Sequence, residues 1–228
     1  MSDIFEEVEE EVRNDQLAEL WRKYGLLVWI AGFAIIAAVA FNEWRGAQQA
    51  RTEQARMTQF EAALDLLDEG QYAAAQAALS ELVDEGTDMS PLAAQYLAQA
   101  NLEGSGDREA AIAVLEEAAS DGDTAFEQLA LLKSVYLRSQ TMTLAEMETA
   151  LAPLIGRETQ LAALAEELIA AGAYAEGDYE RARREYNRLR FAAYAPPGLV
   201  QRATIALETI PRVQAEPEAT TDQTEDPE

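Results

Sequence analysis

The chain passes through three regimes of hydrophobic patterning. Residues 25–41, GLLVWIAGFAIIAAVAF, are seventeen positions without a charge, a proline or a strongly polar side chain. Ahead of them, in residues 1–24, Ile4, Val8 and Val12 recur at a spacing of four beside Phe5, Leu17 and Leu20, while residues 2–20 carry eight acids and one base. That spacing predicts an amphipathic, acidic helix running into the apolar run. Residues 42–56 are polar and helix-prone, with no glycine or proline after Gly46, and are expected to prolong the apolar helix as a stalk. From residue 57 the pattern becomes a series of apolar runs of helical length, 60–67, 92–102, 126–137 and 161–174, separated by turns.

A run that is apolar on every side is expected to cross a bilayer as a single N-terminal transmembrane helix. At a rise of about 1.5 Å per residue it covers about 25 Å. Its nine Leu, Ile, Val and Phe residues together favour insertion by about 4 kcal/mol. Trp21, Arg22, Lys23, Tyr24 and Trp44 stand at its ends as membrane-interface anchors. Two other readings stand beside this one: a buried core helix, and a cleavable signal peptide, for which Ala38-Val39-Ala40 has the small-x-small form of a cleavage site. The long acidic leader and the helix-forming residues beyond the site weigh against cleavage. Arg13, Arg22 and Lys23 before the run balance Arg45, Arg51 and Arg56 after it, but Arg22-Lys23 abut it directly. That favours a cytoplasmic N-terminus and a C-terminal domain on the outer, periplasmic side.

An internal repeat occupies residues 57–210. Gly70-Gln71-Tyr72, Gly106-Asp107-Arg108 and Gly177-Asp178-Tyr179 are followed at equal spacing by Ala75, Ala111 and Ala182, and then by Leu79, Leu115 and Tyr186. The first two copies lie 36 residues apart and the next 71 further on. A fourth copy therefore belongs near residue 142, where Met142, Met147 and Leu151 keep the large apolar position but lose the glycine and the alanine. A period near 35, with glycine ending one helix and alanine admitting close approach inside the next, predicts about four antiparallel helical hairpins. Pro196-Pro197-Gly198 is expected to stop the last repeat helix, residues 199–210 to form a capping helix, and the Pro-, Thr- and acid-rich stretch 211–228 to be a disordered acidic tail.

Composition narrows the function. Asp and Glu number 42 against 17 Lys and Arg, a formal charge of −25, which argues against nucleic acid and against adhesion to anionic lipid. Without Cys or His the chain lacks thiol nucleophiles, the commonest general base and the commonest metal ligands, so no cofactor, metal, small-molecule substrate or catalytic residue is expected. Gly104-Ser105-Gly106 has no lysine-threonine continuation and reads as an inter-helix turn. Glu116-Glu117 and Glu166-Glu167 are adjacent on helices and read as solvated surface. Arg181, Arg184 and Arg188 share one helical face, either as a basic patch for an acidic partner or the chain's own tail, or as a solvated face.

The repeat residues resemble the tetratricopeptide repeat, giving an all-α fold: a transmembrane helix followed by a tetratricopeptide-like α-solenoid with a capping helix. The leader adds Asp15, Leu17, Leu20, Trp21, Tyr24 and Gly25 directly before the apolar run. With the acidic opening and the repeats, this resembles the YfgM-like membrane-anchored family, ancillary to the bacterial Sec translocon, in its alphaproteobacterial form. The resemblance implies an inner-membrane protein that contacts translocon subunits, periplasmic chaperones and exported clients and assists their folding or assembly. It also implies an inward-facing partner groove, which the inward positions of the repeat place at Phe60, Leu64, Tyr96, Leu132, Tyr136, Glu167 and Tyr174. The degenerate third copy bears on the continuity of that groove. An alternative function is an assembly factor or accessory subunit of a respiratory or photosynthetic membrane complex, with the leader and anchor making the main contacts.

Overall fold

Each apolar run becomes a helix, and each turn between runs is closed by its own local chemistry. In the computed structural model the described residues are 3–120 and 124–211; within the first helix, the side chains up to residue 22 and those of Tyr24, Gly25, Leu27, Val28 and Ala31 also lie outside the description. The amphipathic face expected in residues 1–24 and the tail expected in 211–228 therefore fall outside it, apart from Lys23 and Pro211. Among the described residues there are nine helices and no strand: α1 (Asp3–Asp68), α2 (Tyr72–Asp84), α3 (Ser90–Gly104), α4 (Arg108–Ala118), α5 (Ala125–Arg138), α6 (Leu144–Leu151), α7 (Gln160–Ala175), α8 (Tyr179–Phe191) and α9 (Pro197–Thr209). They divide into two units, Met1–Thr58 and Gln59–Glu228.

In the first unit, α1 carries a row of large apolar side chains facing outward. Leu26, Trp29, Ile30, Phe33, Ile35, Ile36, Val39 and Phe41 are all more than half exposed. Among the described residues no helix is long and apolar enough to cross a membrane; four of the seventeen positions in 25–41 lie outside that description.

The second unit is a helical-repeat solenoid. The end of α1 pairs with α2, α3 with α4, α5 with α6 and α7 with α8, giving four hairpins. First helices also touch across repeats, α3 on α5, α5 on α7 and α7 on α9. α9 thus takes the place that the first helix of a fifth repeat would occupy, and its Leu199 and Ala203 cover the apolar end of the stack.

The repeat positions explain this packing. Gly70, Gly106 and Gly177 adopt left-handed φ of 72°, 70° and 84°, which reverses the chain within two residues. Ala75, Ala111 and Ala182 are fully buried, Leu79 and Leu115 nearly so, and Tyr186 is 8% exposed. In two copies the residue after the glycine caps the next helix: Asp107 Oδ1 accepts from the Ala110 N–H at 2.9 Å and Asp178 Oδ1 from the Arg181 N–H at 3.0 Å.

The third copy solves the turn differently. Thr143 caps α6, its hydroxyl accepting from the Glu146 N–H while the Glu146 carboxylate accepts from the Thr143 N–H at 2.8 Å. Those bonds, from the backbone first and then the hydroxyl, hold the Glu146 carboxyl below its usual range. Met147 stands where the other copies have alanine, and the room it needs comes from Gly172 on α7: a methyl there would overlap Met147 Cε and approach Leu144 Cδ1 to 3.3 Å.

One expectation about the end of the repeats is corrected. α8 already ends at Phe191, and Pro196-Pro197 opens α9, with Pro196 at the cap and Pro197 in the first turn, where a missing N–H costs nothing.

Candidate functional site

Where α5, α7 and α9 lie side by side, they leave an apolar cleft of about 440 Å³. Leu132, Lys133 and Tyr136 of α5 form one wall, Leu164, Glu167, Leu168 and Ala171 of α7 the base, Tyr186 of α8 the floor, and Arg202 of α9 the far rim. Leu132 and Tyr186 are each 8% exposed, whereas Tyr136 is 67% exposed at the mouth. A solvated aromatic beside a dry apolar recess is well suited to hold a partner's apolar side chains.

Charges frame the cleft. Glu167 accepts two bonds from Arg202, from Nε at 2.7 Å and from Nη2 at 2.5 Å, a bidentate pair joining α7 to α9. On the opposite wall Lys133 Nζ donates to Gln95 Oε1 at 2.8 Å, and the buried Gln95 donates from Nε2 to the Phe126 carbonyl at 3.1 Å. Burial pushes the Lys133 ammonium below its usual range. Burial, and then the neighbouring Glu167 carboxylate, pushes the Tyr186 phenol up.

Behind the cleft, Glu166 is not the solvated surface its sequence context suggests. It is 3% exposed, accepts from the Tyr194 hydroxyl at 3.1 Å and lies 3.5 Å from Arg188 Nη2. α7 is enclosed by α5, α8 and α9, so adjacent glutamates on it meet two different surroundings, one inside the stack and one at the cleft. Burial first, and then Glu166, raises the Tyr194 phenol.

Of the residues expected to line a groove, Leu132, Tyr136 and Glu167 come together here. Phe60, Leu64 and Tyr96 belong to the core between α1, α2 and α3, with the Phe60 and Tyr96 rings edge to face at 5.5 Å. Tyr174 is exposed at the end of α7, tilted against Tyr179 at 5.5 Å. Lys133 and Arg202 join the cleft without having been singled out in the sequence, and Tyr186, which the repeat marked as a large apolar position, joins it too. Arg202 had a legible signal: it lies 35 residues, one period, after Glu167 and carries the opposite charge.

The arginines of α8 part company. Arg181 pairs with Glu148 of α6, Arg188 with Glu185 at 2.7 Å and with Glu166, while Arg184 lines a different groove beside α9. Of the interface anchors, Lys23 and Trp44 are exposed, the Trp44 ring 6.1 Å from that of Phe41; the Trp21, Arg22 and Tyr24 side chains lie outside the described residues.

A family model described as a tetratricopeptide repeat-like domain matches residues 19–196, more than three quarters of the 228-residue chain. The chain belongs to this family. No curated protein and no solved structure matches it. Tetratricopeptide repeat-like domains are typically non-catalytic scaffolds for protein–protein interaction, so the partners that the family implies are proteins.

Proposed function

We propose that the chain is held in the inner membrane by residues 25–41, with a cytoplasmic N-terminus and a periplasmic repeat domain, and acts as a scaffold or co-chaperone beside the Sec translocon. The observation that carries this reading is the outward-facing apolar row on α1 from Leu26 to Phe41. Soluble surfaces rarely leave so much contiguous apolar area bare, and lipid is the medium that would cover a helix apolar all round. The family match starts at residue 19, before that row, so the apolar stretch falls within the matched region.

The cleft between α5, α7 and α9 supplies the client site in this account. Exported chains pass as extended segments with exposed apolar side chains, and a recess with Leu132 and Tyr186 inside and Tyr136 at its mouth can hold a few of them. Tethering raises the local concentration of such a weak site near emerging clients, and this substitutes for intrinsic affinity. A reporter enzyme that is active only after export, fused behind Ile210, is expected to be active. A reporter at that position that works only in the cytoplasm would overturn the placement and the client argument with it.

A further inference from the structure

A polar groove of about 810 Å³ lies between α8 and the C-terminal half of α9, with Pro211, the last described residue, on its lip. Three arginines of α8, Arg183, Arg184 and Arg190, line it together with Glu180 and Glu208. Arg183 is already engaged: its Nη1 donates to the carbonyls of Leu207 at 3.3 Å and Ile210 at 3.1 Å, closing the end of α9. Arg184 makes no hydrogen bond or ion pair among the described residues. Arg190 donates from Nη2 to Asn187 at 2.9 Å and lies 4.6 Å from the Phe191 ring centre, yet its Nε is buried with no acceptor among the described residues. A buried donor on a cation without an acceptor is uncommon in a native fold.

Residues 216–228, which follow from this lip, hold six acids and no base. Glu216 lies five positions beyond Pro211, an extended reach of about 17 Å. That is enough for the first carboxylates to turn back onto α8. Attached so closely, they face the groove at an effective concentration in the millimolar range, so ion pairs too weak to retain a free peptide suffice.

We propose that the acidic segment 216–228 docks on this groove of its own chain, its carboxylates on the guanidinium groups of Arg184 and Arg190. The bonds are charge-assisted and sit at the surface, so they hold at low ionic strength and release in salt.

The absence of cysteine lets two spin labels be placed at will in the full-length, detergent-solubilised protein, through Gln201→Cys on the exposed side of α9 and Thr221→Cys in the segment. Dipolar spectroscopy at low salt is expected to give a narrow distance population that spreads at about 0.5 M salt, where screening acts within a few ångströms. Arg184→Glu with Arg190→Gln is expected to cut the docked fraction at least about tenfold. Arg157→Glu, at an exposed position outside the groove, is expected to leave it intact, and thermal melting verifies that each variant is folded. A broad distribution in the unaltered protein overturns the proposal. So does a narrow one that survives the double substitution, one lost equally with Arg157→Glu, or one that vanishes on dilution with unlabelled protein, which places the segment on a second copy.

Discussion

Ile35→Lys combined with Ile36→Lys is expected to move the protein from the membrane fraction to the soluble fraction. Both positions lie near the middle of residues 25–41, and each side chain is 66% exposed, so no packing is lost when they change. A lysine near the centre of an inserted helix costs about 2.5–3.5 kcal/mol and forfeits roughly 0.5 kcal/mol contributed by the isoleucine. Two such changes cost about 6–8 kcal/mol, against the roughly 4 kcal/mol by which the whole run favours insertion. The sign of the partition reverses. Alkaline extraction of membranes followed by immunoblotting reads the result, with Ile35→Leu and Ile36→Leu as a control expected to stay in the pellet. The melting temperature of the repeat domain is expected to be unchanged, because its core starts at Phe60. Retention of the dilysine protein in extracted membranes would show that some other part of the chain holds it there.

The second large effect lies in the third repeat. Met147→Ala removes a side chain that is 3% exposed and is expected to cost about 2–5 kcal/mol. Gly172→Ala in the unaltered protein drives a methyl into Met147 Cε, the movable end of a flexible side chain, so the overpacking cost is about 1 kcal/mol and is offset by about 1 kcal/mol of helix propensity. Placed together, the two changes are expected to be less harmful than Met147→Ala alone. The overlap is gone, the new methyl fills part of the void, and the gain in propensity remains. The outcome is a favourable coupling of about 1–3 kcal/mol in a double-mutant cycle read by chemical denaturation. Strict additivity of the two changes would mean that Gly172 is small for some reason other than making room for Met147.

This pair also shows how far the fold can be read from residues alone. The three regular turns are visible because left-handed φ selects glycine, and the alanine and large apolar positions behind them are visible because helices that approach closely need one small and one large partner at fixed spacing. Met147 broke the pattern, and its compensation sits 25 residues downstream at Gly172, a distance that no local periodicity spans. The prolines at 196 and 197 misled for a related reason: proline ends one helix and opens another equally well, and only the packing of α9 on α7 and α8 decides which.

The cleft was partly legible. Counting inward positions along one helix found Leu132, Tyr136 and Glu167, but the same count placed Phe60, Leu64 and Tyr96 in a groove when they fill the first core. The inward face of a helix becomes either cleft or core according to the size of the side chains that meet it. At the first repeat two aromatic rings meet and close the space; between α5 and α7, Ala171 on the base leaves it open. Glu166 was misread because burial belongs to the assembled stack, with α8 and α9 laid over α7, and not to the charged dipeptide.

The scaffold reading is tested most directly by a photoreactive amino acid placed at Tyr136 in the full-length protein, produced in cells during export of a stalled secretory precursor. The account predicts crosslinks from position 136 to the precursor, and none from the same probe at the exposed Ala145 on α6. Failure to capture the precursor at 136, with crosslinks to a few fixed membrane neighbours arising only from residues 1–24, would contradict it and would favour an accessory subunit of a membrane complex.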